Sequence, residues 1–304
     1  MGDEQEKVEH TNQLSPKLKE IAKRKESTFS GDLLTLISGT ALAQFLAALF
    51  MLVLTRIFAP DAFGIYAVFT SIVGIISVIS CFSFELSIVL PKEDDEASNQ
   101  LGISILLSLI TSLLIIPILW FYGDLFLIAI KAPELSSYLW FIPPIIFFGG
   151  IGTGHPGLNY WNLRIKQVLR QSITQVISVL VASILQLGLG LAGYTTGGEL
   201  IIGALVGSAI STIWLGVKTW KSDHTLFVKS IRWGKMIDGI RRYRKFPLFT
   251  TWSMLLNTVS WVLPSFLLTS FFSLQVVGFY TLADRVIKIP MNLIGSAITR
   301  VFYP

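Results

Sequence analysis

Eight apolar runs occupy most of the chain after residue 32, each close to the roughly 20 residues that carry a helix across about 30 Å of hydrocarbon. They cover residues 33–58, 63–90, 101–122, 136–153, 173–192, 200–220, 249–271 and 274–304. Uninterrupted stretches such as ISILLSLITSLLIIPILWF contradict a membrane β-barrel, whose strands alternate apolar and polar residues over about ten positions. A soluble domain is excluded as well, because 52% of the residues are hydrophobic, only 14% are charged and the mean hydropathy is +0.66. The fold class is therefore all-α, a polytopic transmembrane helix bundle of about eight spans.

The distribution of the 24 Lys and Arg residues orients that bundle, since short cytoplasmic loops retain positive charge. With the N-terminus inside, residues 1–31 contribute Lys7, Lys17, Lys19, Lys23, Arg24 and Lys25 to the cytoplasmic side, and the loop before the fifth run contributes Arg164, Lys166 and Arg170. The stretch 218–245 is the richest, whereas the opposite side offers only Arg56 and Lys131. The net charge of +5 then reflects topology and attraction to anionic lipid headgroups, so nucleic acid is not needed as a partner. In the basic tail, Ser15 and Pro16 open a short amphipathic stretch, and the first apolar run is long enough to remain as an anchor rather than be cleaved.

Most motifs with chemical associations read as structure. Cys81 is the only cysteine and belongs to packing; His10, His155 and His224 lie in separate loops with no ligand spacing, so neither metal nor cofactor is expected. The segment GGIGTGHPG follows an apolar run and lacks the strand and Gly-Lys-Ser/Thr ending of a phosphate loop, which makes it a helix exit. The acidic run Glu93, Asp94, Asp95, Glu96 reads as a solvated turn. Gly39 with Ala43 and Ala47, and Gly203 with Gly207, place small residues four apart for close helix packing. Trp120, Tyr122, Tyr160, Trp161, Trp214 and Trp220 fall at run ends, as an interfacial aromatic belt does.

The chemically informative residues are the charges inside apolar runs, each of which costs roughly 2.5–3.5 kcal/mol at the bilayer centre unless it faces water or a partner. In the last run, Lys288 and Arg300 lie about 60° to either side of Arg285 on a helical wheel, so the three cations share one face. Asp284, four residues before Lys288, is placed to balance it, and Pro290 follows, where a proline removes one backbone hydrogen bond and commonly kinks a helix. Arg56 closes the first run, either at the mouth of a cavity or paired with Asp61. Glu85 is the one carboxylate well inside the second run, with a coupling proton or a salt bridge as alternative roles. A cationic cavity points to an anionic cargo.

Taken in order, the basic tail, LTRIFAPDAFGIYAVFTSI, NLRIKQVLRQSITQVI and VVGFYTLADRVIKIPMNLIGSAITRVFYP resemble the Wzx-type polysaccharide-repeat flippases of bacterial inner membranes. Their superfamily also contains the multidrug and toxic-compound extruders and the lipid II flippase, and the likeness covers nearly everything after residue 30. The resemblance implies two lobes around a cavity open alternately to either side. Here a tail over 1–31 precedes a first six-helix lobe over 32–220, a basic loop over 221–248, and the first two helices of a second lobe over 249–304. It implies a transporter, not an enzyme, whose cargo is oligosaccharide on undecaprenyl pyrophosphate for O-antigen, capsule or exopolysaccharide. Arg56, Arg285, Lys288 and Arg300 become substrate-binding cations, Glu85 and Asp284 coupling or balancing acids, and membrane lipids, a polysaccharide polymerase and assembly proteins the partners. Such relatives have twelve or more spans, so the chain is expected to be truncated at its C-terminus.

Three alternatives remain open. A multidrug or cation antiporter needs membrane-embedded carboxylates, and the interior of the first run has none. A membrane-embedded sugar polymerase or ligase needs a large outward loop with reactive groups, and each outward loop is short. A non-transporting remnant is favoured by the early stop.

Overall fold

The computed structural model describes residues 39–150 and 154–302, with the side chains of the last helix described as far as Lys288. The tail with Ser15 and Pro16 lies outside the described residues, as do the side chains of Pro290 and Arg300. Helix α1 (Gly39–Ile57) turns through Phe58 and Ala59 into α2 (Pro60–Ser80), whose first residue is a proline, tolerated there because the first helical amide has no acceptor in its own helix. Helix α1 leaves Leu42, Phe45, Leu49, Leu52 and Val53 exposed and buries Ala43 and Leu54. In water that apolar face would drive aggregation; against acyl chains it is the expected outer surface. Helix α2, by contrast, is enclosed: Phe63, Val68, Phe69, Ile72 and Val73 form a core with Ile142, Ile145, Ile146, Leu200, Ile201 and Val277.

The second apolar run does not continue as one helix to residue 90. Helix α2 stops at Ser80, Phe82 and Ser83 take positive φ values of 48° and 57°, and a 3-10 helix follows over Phe84–Val89. Side-chain bonding accounts for the break: the Thr111 hydroxyl donates to the freed carbonyl of Ser80, and the hydroxyls of Ser83 and Thr251 hydrogen-bond at 2.9 Å. Glu85, expected well inside a continuous second span, therefore belongs to the 3-10 helix beyond its end.

Helix α3 (Asp94–Ala129) is long enough, at about 1.5 Å per residue, to cross the hydrocarbon and project beyond it. The expected fourth span is irregular. It comprises a 3-10 helix (Pro133–Phe141) and the short α4 (Ile142–Phe147). Pro143 and Pro144 remove the amides that a continuous α-helix would need there. The segment still runs antiparallel to α3: Leu139 touches Gly123, the Pro143 carbonyl accepts from Ser112 and the Ile146 carbonyl from Ser108. A turn with positive φ at Gly149, Gly150 and Gly154 then leads into α5 (Pro156–Arg164), capped by His155, whose Nδ1 accepts from the Gly157 amide.

Helices α6 (Val168–Leu191) and α7 (Gly197–Ser230) pack closely because Gly203 and Gly207 lie against Ala182, Ser178 and Gln186. Within the basic segment 221–248, expected as a loop, α7 continues to Ser230 and α8 covers Trp233–Arg242. A π-turn (Phe246–Thr250) enters α9 (Thr251–Phe271), and α10 (Leu274–Phe302) follows. Among the described residues there is no strand, and six helices are long and apolar enough to cross a membrane. Helix α10 is long enough too, but it carries Asp284, Arg285, Lys288 and Arg300.

The acidic run at the start of α3 is a set of ties more than a solvated turn. Asp94 pairs with Arg164 at 2.9 Å, Glu96 with Arg242 at 2.8 Å, and Asp95 accepts from the Ser230 hydroxyl. A helix N-terminus favours such anions, and the three acids fasten α5, α7 and α8 to one point. The Arg164 guanidinium also donates to the carbonyls of Ile88, Pro91 and Lys92. Arg164→Ala is expected to cost about 2–3 kcal/mol, mostly from the orphaned carbonyls, since Asp94 is 60% exposed. Thermal unfolding in detergent measures this, and an unchanged midpoint would show that water replaces the guanidinium freely.

Candidate functional site

Five helices, α1, α2, α6, α7 and α10, line a half-open cavity of about 140 Å³ whose walls are largely apolar, with Tyr66, Ser178, Ser183, Gln186 and Arg285 supplying polar groups beside Met51. Helix α6 supplies the hydroxyls and the amide. Ser178, Ser183 and Gln186 fall within about 140° of one another at 100° per residue, so a single face carries all three. Gln186 is held by its Nε2, which donates to the Leu200 carbonyl at 2.8 Å.

Helix α10 supplies the charge. Arg285 Nη1 lies 3.3 Å from Met51 Sδ, and the guanidinium carbon lies 5.5 Å from the centre of the Tyr66 ring. Among the described residues Arg285 has no carboxylate partner. Met51 is twelve residues into α1, about 18 Å along its axis, so the cation sits within the span and not at its rim. Stacking on an aromatic face recovers about 0.5–2 kcal/mol, less than the roughly 2.5–3.5 kcal/mol cost of a guanidinium at that depth.

Lys288 points elsewhere, although only about 60° separates it from Arg285 on the wheel. Its Nζ lies 2.6 Å from Asp284 Oδ2 and 5.1 Å from the centre of the Trp261 ring on α9. Asp284 is thus engaged in balancing Lys288, and the structure does not bring Arg285 and Lys288 to one ligand position. Arg56 is exposed at the end of α1, pairs with no acid among the described residues, including Asp61, and does not line the cavity. Arg300 lies in α10 with its side chain outside the described residues. Glu85 is half-buried in the 3-10 helix with Oε2 unpartnered. Burial and the Glu85 charge together push the phenol of Tyr160, on α5, above its ordinary range, which makes the two neighbours.

The arrangement is a half-open pocket with largely apolar walls, a few polar side chains and one cation that pairs with no carboxylate among the described residues. The family model of polysaccharide biosynthesis proteins matches residues 53–304. The chain belongs to that family. No curated protein and no solved structure matches it. As a polysaccharide biosynthesis protein, the chain is a multi-pass membrane protein, and the match runs from the last five residues of α1 through every later helix.

Sequence reasoning found Arg285 but not the residues that surround it. Polar side chains on one face of an apolar run were the available signal for Ser178, Ser183 and Gln186. Tyr66 and Met51 leave no such signal, because a Tyr and a Met within apolar runs are ordinary core residues until a cation is placed against them.

Proposed function

We propose that this polysaccharide biosynthesis protein moves undecaprenyl-pyrophosphate-linked oligosaccharide from the inner to the outer leaflet of the bacterial inner membrane, for O-antigen, capsule or exopolysaccharide. The basic end of the bundle and the N-terminus face the cytoplasm in this reading, and the chain acts as a transporter without a covalent step. One observation carries it: Arg285, a guanidinium within the span that pairs with no carboxylate among the described residues and shares a pocket with Tyr66, Gln186 and two serines. A guanidinium offers paired donors to phosphate oxygens, while Tyr66, Gln186 and the two serines offer a ring face and hydrogen bonds suited to sugar.

Lipid tails need no polar route, because they remain in the bilayer while the head crosses. The cavity of about 140 Å³ equals the volume of four or five waters and is smaller than the roughly 300–1,000 Å³ of ligand pockets. A pyrophosphate with its sugars needs more room than this, so in this reading the lining helices part to admit it. An inside-negative potential assists outward passage by about 2.3 kcal/mol per charge per 100 mV. A multidrug antiporter fits less well, since the only charge lining the cavity is positive.

The test uses the protein in liposomes with a polyprenyl-pyrophosphate oligosaccharide bearing a fluorophore on its head. Dithionite, added outside, should bleach nearly all of the fluorescence when the protein is present and only the outer-leaflet share without it. Equal bleaching in both preparations would sink the proposal.

A further inference from the structure

We propose that α8 is an interfacial helix that gathers anionic phospholipid headgroups at the basic end of the bundle. Its depth is set by what it touches. Met236 and Gly239 are buried against α3: a side chain on Gly239 would meet Gln100 and Ile103, and the Met236 thioether lies beside Gly102. Those α3 residues stand where the charged first turn, Asp94 to Glu96, gives way to the apolar stretch beginning at Leu101. A helix docked there lies where headgroups meet hydrocarbon, provided its other faces suit that boundary.

They do. At 100° per residue, Trp233, Ile237 and Ile240 form a flank about a quarter turn from the docked face, and Trp233 is 67% exposed. Tryptophan favours this depth because its ring is apolar and its N–H is polar. Lys235, Asp238, Arg241 and Arg242 occupy the remaining side. Cations outnumber acids here: against Asp238 on the helix and Glu93 across the groove beside Lys235, Arg232, Lys235, Arg241, Arg244 and Lys245 are all exposed and none is ion-paired among the described residues, while Arg242 is matched by Glu96. Exposed cations held within a Debye length of the surface, about 8 Å at physiological salt, attract anionic headgroups. An acidic protein would satisfy the cations but leave the Trp233 flank in water, so a lipid surface fits both faces and a soluble partner fits one.

This inference is independent of transport and is tested by binding alone. The full chain is placed in phosphatidylcholine nanodiscs doped with a small fraction of either brominated-acyl phosphatidylglycerol or brominated-acyl phosphatidylcholine. Subtracting the fluorescence of W233F isolates Trp233. Quenching by the anionic lipid should exceed that by the zwitterionic one by about twofold or more, and R241Q/R244Q/K245Q should bring the two to equality while the helical circular dichroism is unchanged. Equal quenching in the wild-type chain, no quenching by either lipid, or a preference that survives the triple substitution would each overturn the proposal.

Discussion

Arg285→Gln is expected to lower surface polysaccharide about 100-fold while protein level, membrane insertion and unfolding temperature stay at wild-type values. The size follows from what is lost. A guanidinium makes two charge-assisted hydrogen bonds to a phosphate, each contributing about 1.5–3 kcal/mol, and every 1.4 kcal/mol is a factor of ten. The unchanged stability follows from its surroundings: among the described residues Arg285 has no ion pair and meets the Met51 sulfur and the Tyr66 ring, and a glutamine retains much of that contact. Arg285→Lys keeps the charge but loses the paired donors, so an output between the two is expected. Wild-type output from Arg285→Gln, measured by immunoblot of surface polymer, would remove this cation from the mechanism.

Lys288→Gln separates this reading from one in which Arg285 and Lys288 both bind cargo. Lys288 is already satisfied by Asp284 and by the face of Trp261, so its loss is expected to change output less than about threefold and chiefly to unpair a half-buried acid. Asp284→Asn in the same chain should then restore what stability is lost. Equal damage from Lys288→Gln and Arg285→Gln would show that Lys288 leaves Asp284 when cargo arrives.

The apolar spans are legible in the sequence because twenty residues without a charge leave a chain few alternatives to a membrane helix, and the small residues at Gly203 and Gly207 likewise mark a close helix contact, found here against α6. Local pattern does not reveal the break after Ser80, because the left-handed Phe82 and Ser83 are held by partners far away in sequence, Thr251 among them. The fourth crossing shows the opposite lesson: Pro143 and Pro144 announce the irregularity, but only the carbonyl bonds to Ser108 and Ser112 show that the segment still follows α3. At the site, a cation in an apolar run is conspicuous. Which neighbour it faces is a property of the packed bundle, and a rotation of about 60° decides between Tyr66 and Trp261.

The placement of Arg285 depends on a contact between α2 and α10 that admits no side chain, and enlarging it is expected to have an effect as large as removing the charge. A Cβ on Gly278 would overlap the Pro60 carbonyl, and a Cβ on Gly64 would overlap the Leu274 carbonyl, so each glycine lies on the other helix's backbone. Overpacking costs about 1–3 kcal/mol where side chains can yield, and a backbone carbonyl cannot turn aside, which puts these positions at the upper end. Gly278 and Arg285 are seven residues apart, about 20° on the wheel, so they share a face of α10 and a shift at one carries the other away from Tyr66. Gly278→Val should therefore lower the unfolding temperature in detergent and reduce polysaccharide output together, whereas Arg285→Gln reduces output alone. Gly188 provides the control, since a Cβ there meets nothing within 4 Å and Gly188→Ala should be neutral or slightly stabilising. Normal stability and output from Gly278→Val would mean that α10 does not rest on α2 in the membrane, and the cavity that holds Arg285 would then lose the wall that defines it.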